Sequence, residues 1–206
     1  NTDTFIHEFG HILGLEDYYD YSGINTPLVY DIMYHGLGDH NAYSKFNLGW
    51  ITTSRLVVTD SSITLTLEDF SKNGDTIIIA NNWDDKLGAY QEYYVLVYYT
   101  NNGLNAGEGN GYFDDEGVLV YHVNAAMYMQ EGKDLYDVYN KNTDVTHEYG
   151  TKNNLIDYVL NTDGEHVYGV GDTMPTVTDD YGNELIYNFV VDEITSEYVT
   201  ITFTLK

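Results

Sequence analysis

Residues 7–17, close to the start of the chain, constrain its fold more than any other segment. They read H-E-x-x-H-x-x-G-x-x-D, and the histidines His7 and His11, four positions apart, would share one face of an α-helix. Two imidazoles in that arrangement can bind one zinc ion through neutral ring nitrogens. Glu8 can then reach a water at the metal without being a ligand itself. Gly14 can adopt the left-handed conformation that ends a helix, so the chain can double back and bring Asp17 to the metal as a third ligand.

The length of this motif decides how specific it is. H-E-x-x-H alone recurs by chance on surface helices, whereas the added Gly14 and Asp17 stand at offsets used by zinc peptidases. The third ligand has alternatives, because Asp17 begins an acidic, tyrosine-rich stretch over residues 17–21. Asp20 is therefore an alternative ligand, and Asp17 could instead bind calcium.

A second motif lies at residues 30–36, which read YDIMYHG. Met33 suits a tight turn beneath a metal ion, although taken alone it would be read as an ordinary core residue. Residues 42–48 then predict a short helix closed at Gly49, which the apolar residues Phe46, Leu48 and Trp50 suit.

These segments together resemble a known family. The strings HEFGHILGLEDYYD, YDIMYHG and AYSKFNLGW are similar to the immune-inhibitor-A type of secreted bacterial zinc metallopeptidase, which is metzincin-like. The strings QEYYVLV, NGLNAG and GVLVYHVN extend the resemblance over roughly the first 125 residues. The resemblance implies zinc at His7, His11 and Asp17, Glu8 as general base and Met33 in the Met-turn. It also implies an extracellular endopeptidase acting on proteins or peptides, often with calcium bound.

The chain departs from that family in one respect. Catalytic domains of this kind carry a twisted sheet and a helix before the active-site helix, and here only six residues precede His7. The expectation is therefore the C-terminal part of a larger enzyme, with the N-terminal part of its own catalytic domain as a missing partner. We expect the isolated chain to hydrolyse proteins weakly or not at all.

Composition narrows the possible partners. The chain has 206 residues, with 8 Lys plus Arg against 33 Asp plus Glu, giving a formal charge of −25. This charge argues against nucleic-acid binding, which needs a basic surface. No apolar run approaches the roughly 18 residues of a membrane span, so no such span is expected. The 22 tyrosines suit half-buried strands, and less often contacts with carbohydrate or protein.

The fold class predicted from the sequence is α+β. Residues 1–50 would be the C-terminal part of a metzincin-like catalytic domain, and residues 51–206 a β-rich, sandwich-like domain packed on it. Residues 92–99 and 117–123 are continuous apolar runs and predict central strands. Residues 183–191 and 198–205 predict a closing antiparallel pair, the second with strict apolar alternation. The composition of residues 17–41 predicts a loop.

Some functional residues stay open in the sequence. Tyr34 is the first candidate to stabilise an oxyanion during hydrolysis, and His35 is the second. Acidic residues around the loops, including Asp31 and Asp39, could bind calcium, but no segment matches a twelve-residue EF-hand loop.

A rival function is a non-catalytic β-rich module that binds proteins or glycans, with a purely structural zinc motif. The intact Glu8 argues against it, because a structural zinc site does not need a general base.

Overall fold

The computed structural model describes residues 2–15, 17–18, 31–35, 37–51, 55–56, 62–107, 113–125, 128–129, 135–136, 156–179 and 181–206. The helical segments within them are α1 (Thr2–Ile12), α2 (Ile32–His35), α3 (Ala42–Asn47) and α4 (Phe70–Asn73), with a 3-10 turn at Gly103–Asn105. The strands are β1 (Arg55–Leu56), β2 (Ile63–Glu68), β3 (Thr76–Ile79), β4 (Glu92–Tyr99), β5 (Gly117–Asn124), β6 (Tyr128–Met129), β7 (Leu135–Tyr136), β8 (Ile156–Tyr158), β9 (Tyr187–Ile194) and β10 (Tyr198–Leu205).

Most of these strands form two sheets. The larger has the order β1-β3-β4-β5-β8, in which β1 runs parallel to β3 and the remaining pairs are antiparallel. The smaller has the order β2-β10-β9 and is fully antiparallel. Strands β6 and β7 form a separate antiparallel pair. An α+β chain with mainly antiparallel sheets is therefore confirmed.

The larger sheet is buried on both faces, as its continuous apolar strands predict. Side chains alternate across a strand, and from Tyr93 to Tyr99 of β4 the odd-numbered residues enter one core cluster and the even-numbered residues enter another. The first cluster joins the sheet to the helical segments, and it includes Met33, Tyr43 and Tyr93. The second joins it to the smaller sheet, and it includes Tyr94 and Phe203.

Several predicted elements are confirmed, and a few differ. Strands β4 and β5 lie inside the sheet, and β9 pairs with β10, whose residues Val199, Ile201 and Phe203 are buried in alternation. The expected loop over residues 17–41 contains one helical turn, α2, because Asp31 accepts a hydrogen bond from the backbone of Met33 and so starts the turn. The short helix α4 and strand β8 were not predicted.

The first core cluster draws side chains from both sides of residue 50. The domain boundary at that residue stays a prediction, and so does the sandwich-like arrangement of residues 51–206. Across the described part of the chain, no helix has the length and apolar character that crossing a membrane requires.

Candidate metal centre

The end of α1 brings the third candidate ligand to the two histidines. Gly14 has a φ of 97°, the left-handed conformation expected of it, and Leu15 N donates to Gly10 O at 3.0 Å in the same turn. The chain then reverses, and Asp17 lies buried against the face of α1 that carries His7 and His11.

The three ligand atoms converge at distances that suit zinc. Asp17 Oδ1 lies 3.2 Å from His7 Nε2 and 3.3 Å from His11 Nε2. A tetrahedral zinc ion with bonds of about 2.0–2.1 Å separates its ligand atoms by about 3.3–3.4 Å, because a tetrahedron's edge is about 1.63 times its centre-to-corner distance. All three ligand atoms lie within 4.8 Å of one another. The donor set of two imidazoles and one carboxylate therefore fits the ion in chemistry, and the two distances to Asp17 Oδ1 match an edge of the zinc tetrahedron.

Backbone carbonyls fix the orientation of both imidazole rings. His7 Nδ1 lies 2.7 Å from the carbonyl oxygen of Ile32, and His11 Nδ1 lies 2.9 Å from that of Leu15. Because a carbonyl can only accept, each Nδ1 carries a proton, which leaves Nε2, the nitrogen nearest Asp17, as the atom that can bind a metal. Histidines that bind metals in proteins are commonly held by such a second hydrogen bond.

Burial leaves one side of the site open. The side chains of His7 and Asp17 are 12% and 8% exposed, whereas that of His11 is 34% exposed. Glu8 follows His7 on α1 and is exposed to solvent. The triad is therefore accessible from the side of His11.

The two candidates for oxyanion stabilisation have different standing in the structure. Tyr34 is half-buried in α2, and its ring packs against the first core cluster. The catalytic role of Tyr34 stays a prediction. His35 is the last residue of α2, and its side chain lies outside the described part of the structure.

Met33 lies directly against α1, as the Met-turn hypothesis expects. It is fully buried, and a Cβ atom built on Gly10 would stand 2.6 Å from Met33 Sδ and 3.5 Å from His40 Cε1. Glycine at position 10 thus lets α1 approach the Met33 segment more closely than any side chain would permit.

Sequence reasoning missed the groups that hold the ligands. Backbone carbonyls such as those of Ile32 and Leu15 leave no mark in a motif. The buried Asp31, proposed only as a calcium candidate, instead accepts hydrogen bonds from Met33 and Asn41. Asp commonly starts turns and caps helices by accepting from the backbone N–H two residues on, and that preference was available in the sequence.

Comparisons of the chain with protein-family models, curated proteins and solved structures gave no match. The family resemblance carried by the motifs accordingly stays an expectation, and the geometry of the site is the main support for a function.

Calcium has less support than zinc. Among the residues that the structure describes, no second group of three His, Asp or Glu side chains brings its ligand atoms within 4.8 Å of one another. A cleft of about 570 Å³ is lined by several acidic side chains, including Asp114, Asp163 and Asp172, but they do not converge in this way. Asp20 lies outside the described residues.

Proposed function

We propose that this protein is a secreted zinc-dependent endopeptidase of the metzincin-like, immune-inhibitor-A type. One observation carries the proposal: Asp17 Oδ1 lies 3.2 and 3.3 Å from His7 Nε2 and His11 Nε2, and backbone carbonyls fix both rings. The sequence supports it further, because Glu8 stands at the position of the general base in H-E-x-x-H peptidases.

The number of ligands favours catalysis over a structural role. Structural zinc sites are closed by four protein ligands, whereas catalytic sites use three and leave one position open. Three side chains converge here within the described residues, and the site is open on the His11 side. Glu8 is exposed on α1 directly after His7, and a structural site would not require a carboxylate there.

The residues of the chain have distinct tasks in hydrolysis. A zinc ion at the triad would supply a water of lowered pKa and would polarise the scissile carbonyl. Glu8 would take the proton of the attacking water and pass it to the leaving nitrogen. Tyr34 is our candidate for donating a hydrogen bond to the oxyanion, as in the sequence-based hypothesis.

The outer face of α1 is apolar and exposed to solvent. Phe5, Phe9 and Ile12 are 71%, 46% and 78% exposed, and the rings of Phe5 and Phe9 stack with centroids 6.3 Å apart. This apolar surface lies on the side of α1 opposite Gly10 and the zinc ligands. We propose that further polypeptide of the same catalytic domain covers it, and that residues 51–206 form a sandwich-like domain behind the site.

The test combines metal analysis with hydrolysis. Purified chain should contain about one zinc per molecule by mass spectrometry, and the complete protein should cleave an unstructured protein in a chelator-sensitive manner. Glu8→Gln should lower hydrolysis by at least about 10²-fold and leave the zinc content unchanged. Glu197→Gln, which alters an exposed carboxylate in a turn, is the matched control and should leave both unchanged.

The outcomes separate the two functions considered. Hydrolysis that survives Glu8→Gln would refute the assignment of the base. Bound zinc without chelator-sensitive hydrolysis in the complete protein would favour the non-catalytic binding module instead.

A further inference from the structure

We infer that Asp31 is a positioning residue for the zinc ligands: its buried carboxylate fixes the backbone segment that orients His7 and the chain beside Asp17. This inference rests on the proposed zinc site and names a residue outside its ligand set.

The carboxylate of Asp31 accepts three hydrogen bonds from two segments. It is 0% exposed, and Oδ1 accepts from the backbone N–H of Met33 at 2.7 Å. Oδ2 accepts from both the backbone N–H and the side-chain Nδ2 of Asn41, at 2.9 and 2.8 Å. Asp31 thereby ties the start of α2 to the start of α3.

The segment fixed in this way reaches both sides of the zinc site. Ile32 O accepts from His7 Nδ1 at 2.7 Å, and Met33 O accepts from the backbone N–H of Tyr18 at 3.0 Å. Tyr18 directly follows the ligand Asp17 in the chain. Two successive carbonyl groups, both beside Asp31, therefore set the ring plane of one ligand and the backbone next to another.

A second series of hydrogen bonds also links Asp31 to Tyr18. Asn41 Oδ1 accepts from the backbone N–H of Ser44 and so caps α3, at 2.8 Å. Ser44 Oγ in turn lies 2.7 Å from Tyr18 Oη, within hydrogen-bonding distance. Asp31 thus reaches Tyr18 by two routes, one through the backbone of Met33 and one through Asn41 and Ser44.

An amide at position 31 could not keep this arrangement. Asn has the shape of Asp, but it offers one acceptor oxygen and an NH₂ group that only donates. The donors on one side of the carboxylate would then face a donor, and the backbone would have to move to relieve the conflict. Because partners in the outer shell of a metal site set ligand orientation, their loss typically weakens metal binding by about 10–100-fold.

The experiment measures zinc affinity by competition with a chromophoric chelator, on the 206-residue chain. Asp31→Asn should weaken zinc binding by about 10–100-fold. Asp69→Asn is the matched control: Asp69 is also buried, at 2% exposure, and it accepts from Ser71 N and Asn102 Nδ2 at 2.9 Å each, at the start of α4. We expect the control to lose stability by a similar amount and to keep the zinc affinity of the wild type.

A spectroscopic signature separates positioning from general destabilisation. The visible absorption of the cobalt(II)-loaded protein reports coordination geometry, so it should change in Asp31→Asn and not in Asp69→Asn. Asn41→Ser keeps a side chain that can cap α3 but removes the Nδ2 bond to Asp31. It should weaken zinc binding, but by less than Asp31→Asn does. If Asp31→Asn does not fold, wild-type zinc affinity in Asn41→Ser would by itself overturn the inference.

Wild-type zinc affinity in both Asp31→Asn and Asn41→Ser would overturn the inference and leave the proposed function standing. The same holds if Asp69→Asn weakens zinc binding as much as Asp31→Asn does, because the effect would then be one of stability alone. A wild-type chain that binds no zinc would overturn both the inference and the proposed function.

Discussion

Replacing Gly10 by alanine tests the close approach of α1 to Met33. The new methyl group would stand 2.6 Å from Met33 Sδ and 3.2 Å from Met33 Cε. Met33 is 0% exposed, so its side chain has little room to withdraw. The substitution is thus an insertion into a packed interior, inside a helix that would otherwise prefer alanine.

The two effects have opposite signs and comparable sizes. Alanine favours a helix over glycine by about 0.8–1.0 kcal/mol. Overpacking a buried site costs about 1–3 kcal/mol. The net expectation is a destabilisation of about 1 kcal/mol, which lowers the melting temperature by roughly 2–4 °C for a chain of this size.

A double-mutant cycle isolates the steric part. In a Met33→Ala background the methyl group of residue 10 has room, so Gly10→Ala should there stabilise the chain by about 1 kcal/mol. The assay is urea or thermal denaturation of the four variants without metal. If Gly10→Ala stabilises the wild-type background by the same amount, the close packing of α1 on Met33 does not require glycine at position 10, and our account of Gly10 is wrong.

Three further predictions concern pH, surface and metal. Burial raises the pKa of Asp31 from 3.8 to about 6, against the lowering effect of its N–H donors. As pH rises, the unfolded chain therefore loses this proton at a lower pH than the folded chain does. The free energy of unfolding should accordingly fall by roughly 3 kcal/mol between about pH 4 and about pH 6. Metal-free denaturation series of wild type and Asp31→Asn should differ in slope across that window, and equal slopes would contradict the shift. Ile12→Gln alters a side chain that is 78% exposed and should change the free energy of unfolding by less than about 0.5 kcal/mol. Leu15→Ala alters a side chain that is 3% exposed and should lower it by about 2–5 kcal/mol. A larger loss of stability for Ile12→Gln would mean that the outer face of α1 is already covered. Zinc at about 100 times its dissociation constant should raise the free energy of unfolding by about 2.7 kcal/mol, and a chelator should reverse this, whereas Asp17→Asn should respond less at the same zinc concentration.

The parts of the fold that the sequence predicted are those governed by local rules. Helix α1 and its termination at Gly14 follow from spacing and from the left-handed preference of glycine, and the central strands follow from continuous apolar runs. Strand β8 is three residues long and is defined by its pairing with β5. No local sequence pattern predicts that pairing. The turn at α2 depends on one buried carboxylate, whereas the composition of that region predicts only a loop.

Part of the candidate site could likewise be predicted from local sequence, and part could not. The convergence of His7, His11 and Asp17 could be predicted, because H-E-x-x-H-x-x-G-x-x-D encodes their spacing along the chain. The groups that orient them could not, because the carbonyls of Ile32 and Leu15 belong to the backbone and are positioned by tertiary structure. The role of Asp31 falls between these cases, since its Asx-turn is local but its bonds to Asn41 span ten residues.

Strand β4 ties the larger sheet to two different layers, because Tyr93 faces the helical layer and the adjacent Tyr94 faces the smaller sheet. A gene fusion or recombination event that exchanged the first 50 residues for an unrelated sequence would uncover one side of this sheet and expose Val95, Val97 and Tyr121 to water. Bare apolar surface of that kind promotes aggregation. Residues 1–50, which carry the candidate metal site, could therefore not be exchanged alone, because the strands behind them would have to change as well.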